Sequence, residues 1–449
     1  MLSRMTLLAG AAEVVITPPV GTWLEGYGGK TSGSAGVHDD LHARALALDD
    51  GATQAAIVAC DLIGIDRRMT ARVRELAAEA TGIPGANIMV TATHTHQGPE
   101  LLRRDRDEGI FDMTSRLIAG AVAAAHGRRR PVAVKAGRGS VDTVSQNRRD
   151  PEGPIGDALE VLLFDSPDPR DGAVAAVVNF ACHATVLYRN NDYISADYPG
   201  AAVRTVQQVL GGAPVLFLQG ACGDVNPLWT SQEFSEVERV GSIVGAEAAR
   251  RLQELRPLGI GQHVWNIRWD EVLDVPVKTG ELVEPRLRVA SRTVAVPLRK
   301  LPPPEEYDGH LRELQARAGA LPPADVAARR ALTAAISRLR NERGVAQWLR
   351  GGGGTLHPEV QAIGLGDGVA LLALPGEFFA ETAQRIRQDS GIRRLSIACY
   401  ANHHVFYVVP EHEFGRGGYE PGVSILDETA EATIRQAAVE LLAGVVAGG

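Results

Sequence analysis

Cysteine, aromatic residues and surplus positive charge are all scarce in this 449-residue chain, and each shortage removes a class of function. Four cysteines, Cys60, Cys182, Cys222 and Cys399, lie far apart beside apolar residues. A disulfide framework in so large a secreted chain would be denser, so they are read as buried free thiols. Lys and Arg total 46 against 54 Asp and Glu, a formal net charge of −8. With no basic surplus to displace counterions from phosphates, nucleic acid is excluded as a partner. No apolar run approaches the roughly 20 residues that cross a bilayer, so no transmembrane segment is expected. What remains is an ordinary globular composition, 45 % hydrophobic and 22 % charged, long enough to fill one large core or two to three medium ones.

The N-terminus carries Arg4 ahead of the apolar stretch Met5 to Ala9, the outline of a signal peptide. That stretch is short and runs on into Val14-Val15-Ile16, which reads as a strand. A first core strand and a cytoplasmic location are therefore expected.

From 40 to 260 short β-branched runs alternate with Ala-rich helical patterns. Strands are expected at Ala43 to Leu48, Gln54 to Cys60, Ala86 to Thr91, Val132 to Ala136, Ala158 to Phe164, Ala173 to Phe180 and Ala213 to Gln219. Helices are expected at Arg68 to Thr81, Thr114 to Gly127, Tyr198 to Leu210 and Glu236 to Leu255. After Pro257 the pattern becomes more exposed, with strands at Gln262 to Val272 and Arg286 to Val296. Residues 301–354 read as an inserted helical hairpin, split by Pro322-Pro323 and closed by Gly351 to Gly354. Strands then return at Val360 to Leu365, Val369 to Leu374 and Leu395 to Tyr400, before a terminal helix at Glu428 to Leu442. No 20 to 50 residue repeat is visible. The expected fold is α/β: a mixed, largely parallel β-sheet core flanked by helices, in one domain over 1–449 that includes the hairpin.

Chemistry concentrates where strands end. Thr91-Ala-Thr-His94-Thr-His96-Gln-Gly-Pro99 follows an apolar strand, and two histidines two apart there project to the same side. That spacing suits a metal ligand beside an acid or base, although HxH alone is weak evidence. His183, in Phe180-Ala-Cys-His183-Ala-Thr185, repeats the design; a satisfied core histidine is the plainer alternative. Asp197, in Ser195-Ala-Asp197, fits a helix cap or a hydrogen bond to a ligand histidine. Glu377, in Leu374-Pro-Gly-Glu377-Phe-Phe379, would be a costly buried charge without a partner such as a divalent metal. Two His and one Glu form a known ligand set for hydrolytic zinc. The last segment runs from Ala401-Asn402-His403-His404 through Tyr407 to Gly417-Gly418-Tyr419. Its tyrosines fit metal ligation, oxyanion donation or plain core packing.

Taken in order, Thr-His-Thr-His-x-Gly-Pro, Cys-His-x-Thr with a following Ser-x-Asp, Gly-Asp-Val-x-Pro, Pro-Gly-Glu-Phe and Ala-Asn-x-x-x-x-Tyr-Val resemble the catalytic domain of the neutral (non-lysosomal) ceramidases. The opening Ala11-Ala-Glu-Val-Val-Ile-Thr-Pro-Pro19 and Gly26-Tyr27-Gly28 fit its start. The resemblance implies a zinc amidase with one Zn²⁺ per chain, held by His94, His183, Glu377 and Tyr407. It makes His96 the catalytic histidine, Arg148 an arginine near the substrate carbonyl and Tyr419, 12 residues after Tyr407, an oxyanion donor. The implied reaction is hydrolysis of a linear amide in a small-molecule or lipid-like N-acyl substrate by metal-activated water.

Departures qualify the implication. The sequence ends 30 residues after Tyr419, so the C-terminal immunoglobulin-like domain of the ceramidases is not expected. Asn226 stands where those enzymes usually carry Ser, so a different or smaller substrate than ceramide is expected. Zinc-dependent ester or lactone hydrolysis, a cysteine hydrolase built on Cys222, and a non-catalytic metal-binding protein stay open. A homo-oligomer is compatible with the sequence, as is either a lid or a solvated arm for the hairpin; the roles of His403 and His404 are not assigned.

Overall fold

Three times along the chain, four strands form a sheet by the same order of pairings. The first set is β1 (Leu8–Val15), β2 (His42–Asp49), β3 (Gln54–Cys60) and β4 (Ile88–Ala92). β1 and β2 pair antiparallel, as do β2 and β3, while β3 and β4 run parallel across helix α1 (Arg67–Thr81). Helix α2 (Glu108–Gly127) follows and packs on α1. The second set, β5 (Ala133–Ser140), β6 (Ala158–Asp165), β7 (Ala173–Phe180) and β8 (Val215–Gln219), repeats the scheme. Helix α3 (Asp197–Val209) makes its parallel crossover and α4 (Phe234–Leu255) follows. The third, β9 (Arg288–Thr293), β10 (Glu359–Gly366), β11 (Val369–Ala373) and β12 (Arg394–Ala398), repeats it again. Its helical hairpin, α5 (Pro304–Ala320) and α6 (Val326–Leu349), is inserted between β9 and β10. Helix α7 (Ala380–Ser390) makes the crossover, and α8 (Ala430–Val446) closes the set. This computed structural model describes residues 7–28, 30–103, 106–168, 171–256, 263–265, 272–274, 281–322, 324–349, 354–366 and 368–446.

Strand alternation explains how the three sets assemble. In β2, Ala43, Ala45 and Ala47 face the helices while Leu46 and Leu48 face the centre. Likewise Leu159, Val161 and Leu163 of β6 face α3 and α4, and Leu162 and Phe164 point inward. The inward residues join Ile57, Val177, Leu216, Leu218, Ile363 and Leu371 in one buried cluster, so the three sheets share a central core with helices outside. Polar side chains staple them. Asn179 of β7 donates to the Ile397 carbonyl at 2.8 Å and accepts from its N–H at 2.9 Å. Asn402, beyond β12, accepts from the Val90 N–H of β4 at 3.0 Å.

The mixed α/β fold agrees with expectation, but the largely parallel core does not. Each large sheet has one parallel pairing, its third strand with its fourth across a crossover helix; the other pairings are antiparallel, some of them closed by short loops such as 50–53. The threefold order of pairings and helix α7 were also not foreseen. Of the strand expected at Gln262 to Val272, the described parts are His263–Trp265 and Val272, the first residue of Val272–Asp274; the rest lies outside the described residues. The hairpin is found as expected, although residues 351–353 of its glycine tract lie outside the described residues.

The topology brings the carboxyl ends of the parallel strand pairs together. Cys399, one residue past β12, donates its N–H to Gln219 of β8 at 2.8 Å, and Asn402 donates to Val90 of β4 at 2.7 Å. Chain leaving six strand ends therefore meets at one place.

Candidate metal centre

Each set of strands supplies chemistry to that meeting point. His94 leaves β4, His183 leaves β7 and Glu377 leaves β11. His94 adopts the left-handed conformation (φ +67°), held by its N–H on Leu62 at 2.9 Å. Such a conformation is costly for a non-glycine residue and turns the ring into the site. Its Nδ1 lies 2.6 Å from the Ile63 carbonyl, and Nδ1 of His183 lies 2.6 Å from the Cys222 carbonyl. A carbonyl can only accept, so both rings donate there and present a bare Nε2 lone pair.

Between those lone pairs sits Glu377. Its Oε2 lies 3.5 Å from Nε2 of His94 and 3.3 Å from Nε2 of His183, is buried and has no hydrogen-bond partner. Burial pushes this carboxyl's pKa up, but His94 and His183 outweigh burial and hold it well below the usual carboxylate range. An ionised oxygen facing two lone pairs fits a cation, because an uncompensated buried carboxylate is otherwise expensive. His94, His96 and His183 also converge, their nearest ring nitrogens all within 4.8 Å of one another. The donor set thus fits zinc, which takes imidazole and carboxylate together.

His96 is arranged differently from the other two. Its Nε2 is 3.2 Å from that of His94, and its Nδ1 is buried without a partner. Burial, then the charges of His94 and His183, push its pKa well below the usual histidine value. Gly26 fits against it: φ is +111° and a Cβ there would stand 2.4 Å from His96 Nδ1. The Tyr27 ring lies 5.0 Å from the His96 ring.

Arg148 ties the remaining candidates together. Nε donates to Glu420 at 2.7 Å and Nη1 to Asn226 at 3.1 Å, while Nη2 donates to Gly223 at 2.8 Å and to the Tyr407 hydroxyl at 3.0 Å. Four of its five N–H groups are therefore engaged. Tyr407 is seated beside Glu377 by parallel backbone pairing, Glu377 opposite Tyr407. Gly376 permits this, since a Cβ there would stand 2.6 Å from the Phe406 carbonyl at φ +117°. Tyr419 is 54 % exposed, its ring 5.7 Å from that of Tyr407 and under the Arg148 guanidinium. Asn226, noted in the sequence as a departure, is thus an anchor for Arg148.

Other sequence candidates fall outside the centre or behind it. Asp197 accepts from the backbone of Leu187 at 3.0 Å and of Tyr198 at 2.6 Å, so it braces the loop after His183 without touching a histidine ring. Cys222 is fully buried and its thiol pKa is pushed well up by burial, the opposite of what a nucleophile needs. All four cysteines are free and buried, as read from the sequence. His404 lies 3.7 Å from the second oxygen of Glu377, and His403 donates its N–H to Ala401 at 2.6 Å. Tyr400, whose ring stacks on His94 at 3.9 Å, is the neighbour that sequence reasoning missed; it was read as the last residue of a strand.

Comparison with known proteins identifies the family and the fold. Residues 7–231 match the family described as neutral/alkaline non-lysosomal ceramidase, N-terminal. The neutral ceramidase of Mycobacterium tuberculosis is 25 % identical over 281 residues, covering 53 % of this chain and 44 % of that protein. The neutral ceramidase of Pseudomonas aeruginosa is 23 % identical over 495 residues, covering 98 % of this chain and 71 % of that protein. The crystal structure of the Pseudomonas aeruginosa enzyme superposes with a TM-score of 0.74 at 21 % identity, over 99 % of this chain and 75 % of that one. The matched part is thus under half of the Mycobacterium relative's length, and the structural likeness shows a shared fold. The chain belongs to the neutral/alkaline non-lysosomal ceramidase family.

Proposed function

We propose that this chain is a zinc-dependent hydrolase of a linear N-acyl amide, acting on a small-molecule or lipid-like substrate that differs from ceramide or is smaller. The observation that carries this is the buried Oε2 of Glu377, unpartnered and 3.5 and 3.3 Å from two bare imidazole nitrogens. His94, His183 and Glu377 would hold one Zn²⁺ per chain, with Tyr407 as the fourth ligand. When bound, the ion would supply Lewis acidity and a water acidified to a pKa of about 7.

The chain's own residues do the rest. His96, kept neutral by burial and with its Nδ1 unpartnered, takes the proton of the attacking water and hands it to the leaving nitrogen. The fifth N–H of Arg148 and the hydroxyl of Tyr419 orient the carbonyl and stabilise its oxygen as charge develops. Glu420 and Asn226 hold the guanidinium so that this donor needs no reorganisation. The departure at Asn226, which touches Arg148 directly, supports a substrate unlike that of the named relatives.

Metal analysis of the purified chain, with hydrolysis assays on an N-acyl amide and its ester analogue, tests the proposal. Stoichiometric zinc with chelator-sensitive amide cleavage is expected. Zinc-free protein with full activity, or cleavage of the ester alone, overturns it.

A further inference from the structure

Cys222 is joined to both proposed ligand histidines. Its carbonyl takes the Nδ1–H of His183 at 2.6 Å, and its sulfur lies 3.1 Å from the hydroxyl of Tyr400. The ring of Tyr400 in turn lies flat against His94, centroids 3.9 Å apart and planes at 19°. Tyr400 is fully buried, and among the described residues the Cys222 thiol is the hydrogen-bond partner of its hydroxyl. A buried phenol needs such a partner, so the thiol fixes where the ring can lie.

The backbone around Tyr400 is held by all three sets of strands. Cys399 donates its N–H to Gln219 of the second set at 2.8 Å and accepts from Thr91 of the first at 3.0 Å. Tyr400 itself donates to Gly376 of the third at 3.2 Å. Its φ is +55°, and His94 opposite has φ +67°. Each such conformation is costly in a non-glycine residue and persists only where the surroundings enforce it. Two strained residues stacked on one another, one of them a proposed ligand, are more than filling for a core.

We infer that Tyr400 and Cys222 are positioning residues that lock the His94 and His183 rings into one fixed relation, so that both Nε2 atoms face the same point before any ion arrives. The inference rests on the metal-centre reading above. The stack stops the His94 ring turning about its Cβ–Cγ bond, and the hydrogen bond between the Tyr400 hydroxyl and the Cys222 thiol stops the Tyr400 ring sliding off it. Because the same residue supplies the carbonyl for His183, movement of either ring is passed to the other.

The test measures Zn²⁺ affinity of the metal-free chain by competition with a chromophoric chelator, and the heat stability of the same metal-free samples. Tyr400→Leu, which removes the stack, is expected to weaken binding about 10- to 100-fold, the usual effect of losing a group that orients a ligand. Tyr400→Phe and Cys222→Ala are each expected to weaken it several-fold, and the double variant no further, since both remove one contact. Cys222→Ser, which keeps a hydrogen-bonding group, is expected to restore it. Variants that bind zinc like the unaltered chain, or that lose affinity only in proportion to lost heat stability, overturn the inference. If the unaltered chain binds no zinc, the functional reading falls, and this inference with it.

Discussion

The Nε2 atoms of His94 and His96 face each other across 3.2 Å, with the two rings at 89°. His94 spends its only N–H on Ile63, so in the neutral pair His96 is the donor across this gap and its own Nδ1 is left bare. The two histidines of one motif are therefore inequivalent: one is fixed with its lone pair inward, and the other carries a transferable proton. His96→Ala should keep zinc at the level of the unaltered chain while turnover falls about 10²–10⁴-fold. His94→Ala should lose both. Metal content and kcat of the two purified variants decide the matter, and zinc loss in His96→Ala would make His96 a ligand instead.

Glu377 ties metal content and turnover to one carboxylate. Glu377→Gln keeps the side-chain volume but removes the charge that a cation would neutralise. Zinc content should become substoichiometric and hydrolysis should be lost. Metal analysis and hydrolysis assays on the same samples check both; full zinc occupancy would remove Glu377 from the ligand set.

Arg148→Lys retains positive charge yet cannot span Glu420, Asn226, Gly223 and Tyr407 with a single ammonium. Zinc content should be kept, while kcat drops on the order of 10²-fold through loss of a positioned donor. The melting temperature should also fall, since Glu420, only 2 % exposed, loses a partner. An unchanged kcat would assign Arg148 to structure alone.

Much of this centre was legible because its chemistry sits in short motifs at strand ends. The runs around β4, β7 and β11 are apolar and rich in aliphatic residues, so the residues just after them could be singled out as a site. What the sequence hid is relational. The threefold order of pairings lies in connections, and the hairpin loop 50–53 and the crossover helix α1 leave no shared residues in the later sets. Helix α7 buries only a narrow stripe, Thr382, Ala383 and Ile386 beyond its first residue, too short a period to stand out from Pro-Gly-Glu-Phe. Tyr400 and Cys222 act through backbone conformation and through contacts between residues 39 and 178 positions apart, which no local pattern carries.

The buried histidines make acid stability of the metal-free chain a further test. Burial pushes the pKa of both His183 and His404 down to about 4, from an ordinary value near 6.5. Between those limits the unfolded chain binds protons that the folded chain does not, so unfolding is favoured increasingly as pH falls from about 6.5 towards 4. Stability from these groups is complete above the ordinary histidine pKa and is lost on acidification, by at most about 3 kcal/mol for each ring. Buried carboxyls such as Glu25 and Asp197, raised to about 7, act in the opposite direction over the same range, so the readout is the difference between the parent and His404→Gln, which removes one of the two rings and leaves the proposed ligands intact. From pH 7 to pH 4.5 the metal-free variant should lose less melting temperature than the metal-free parent. The same pH dependence in the two would show that His404 is already protonated in the folded chain.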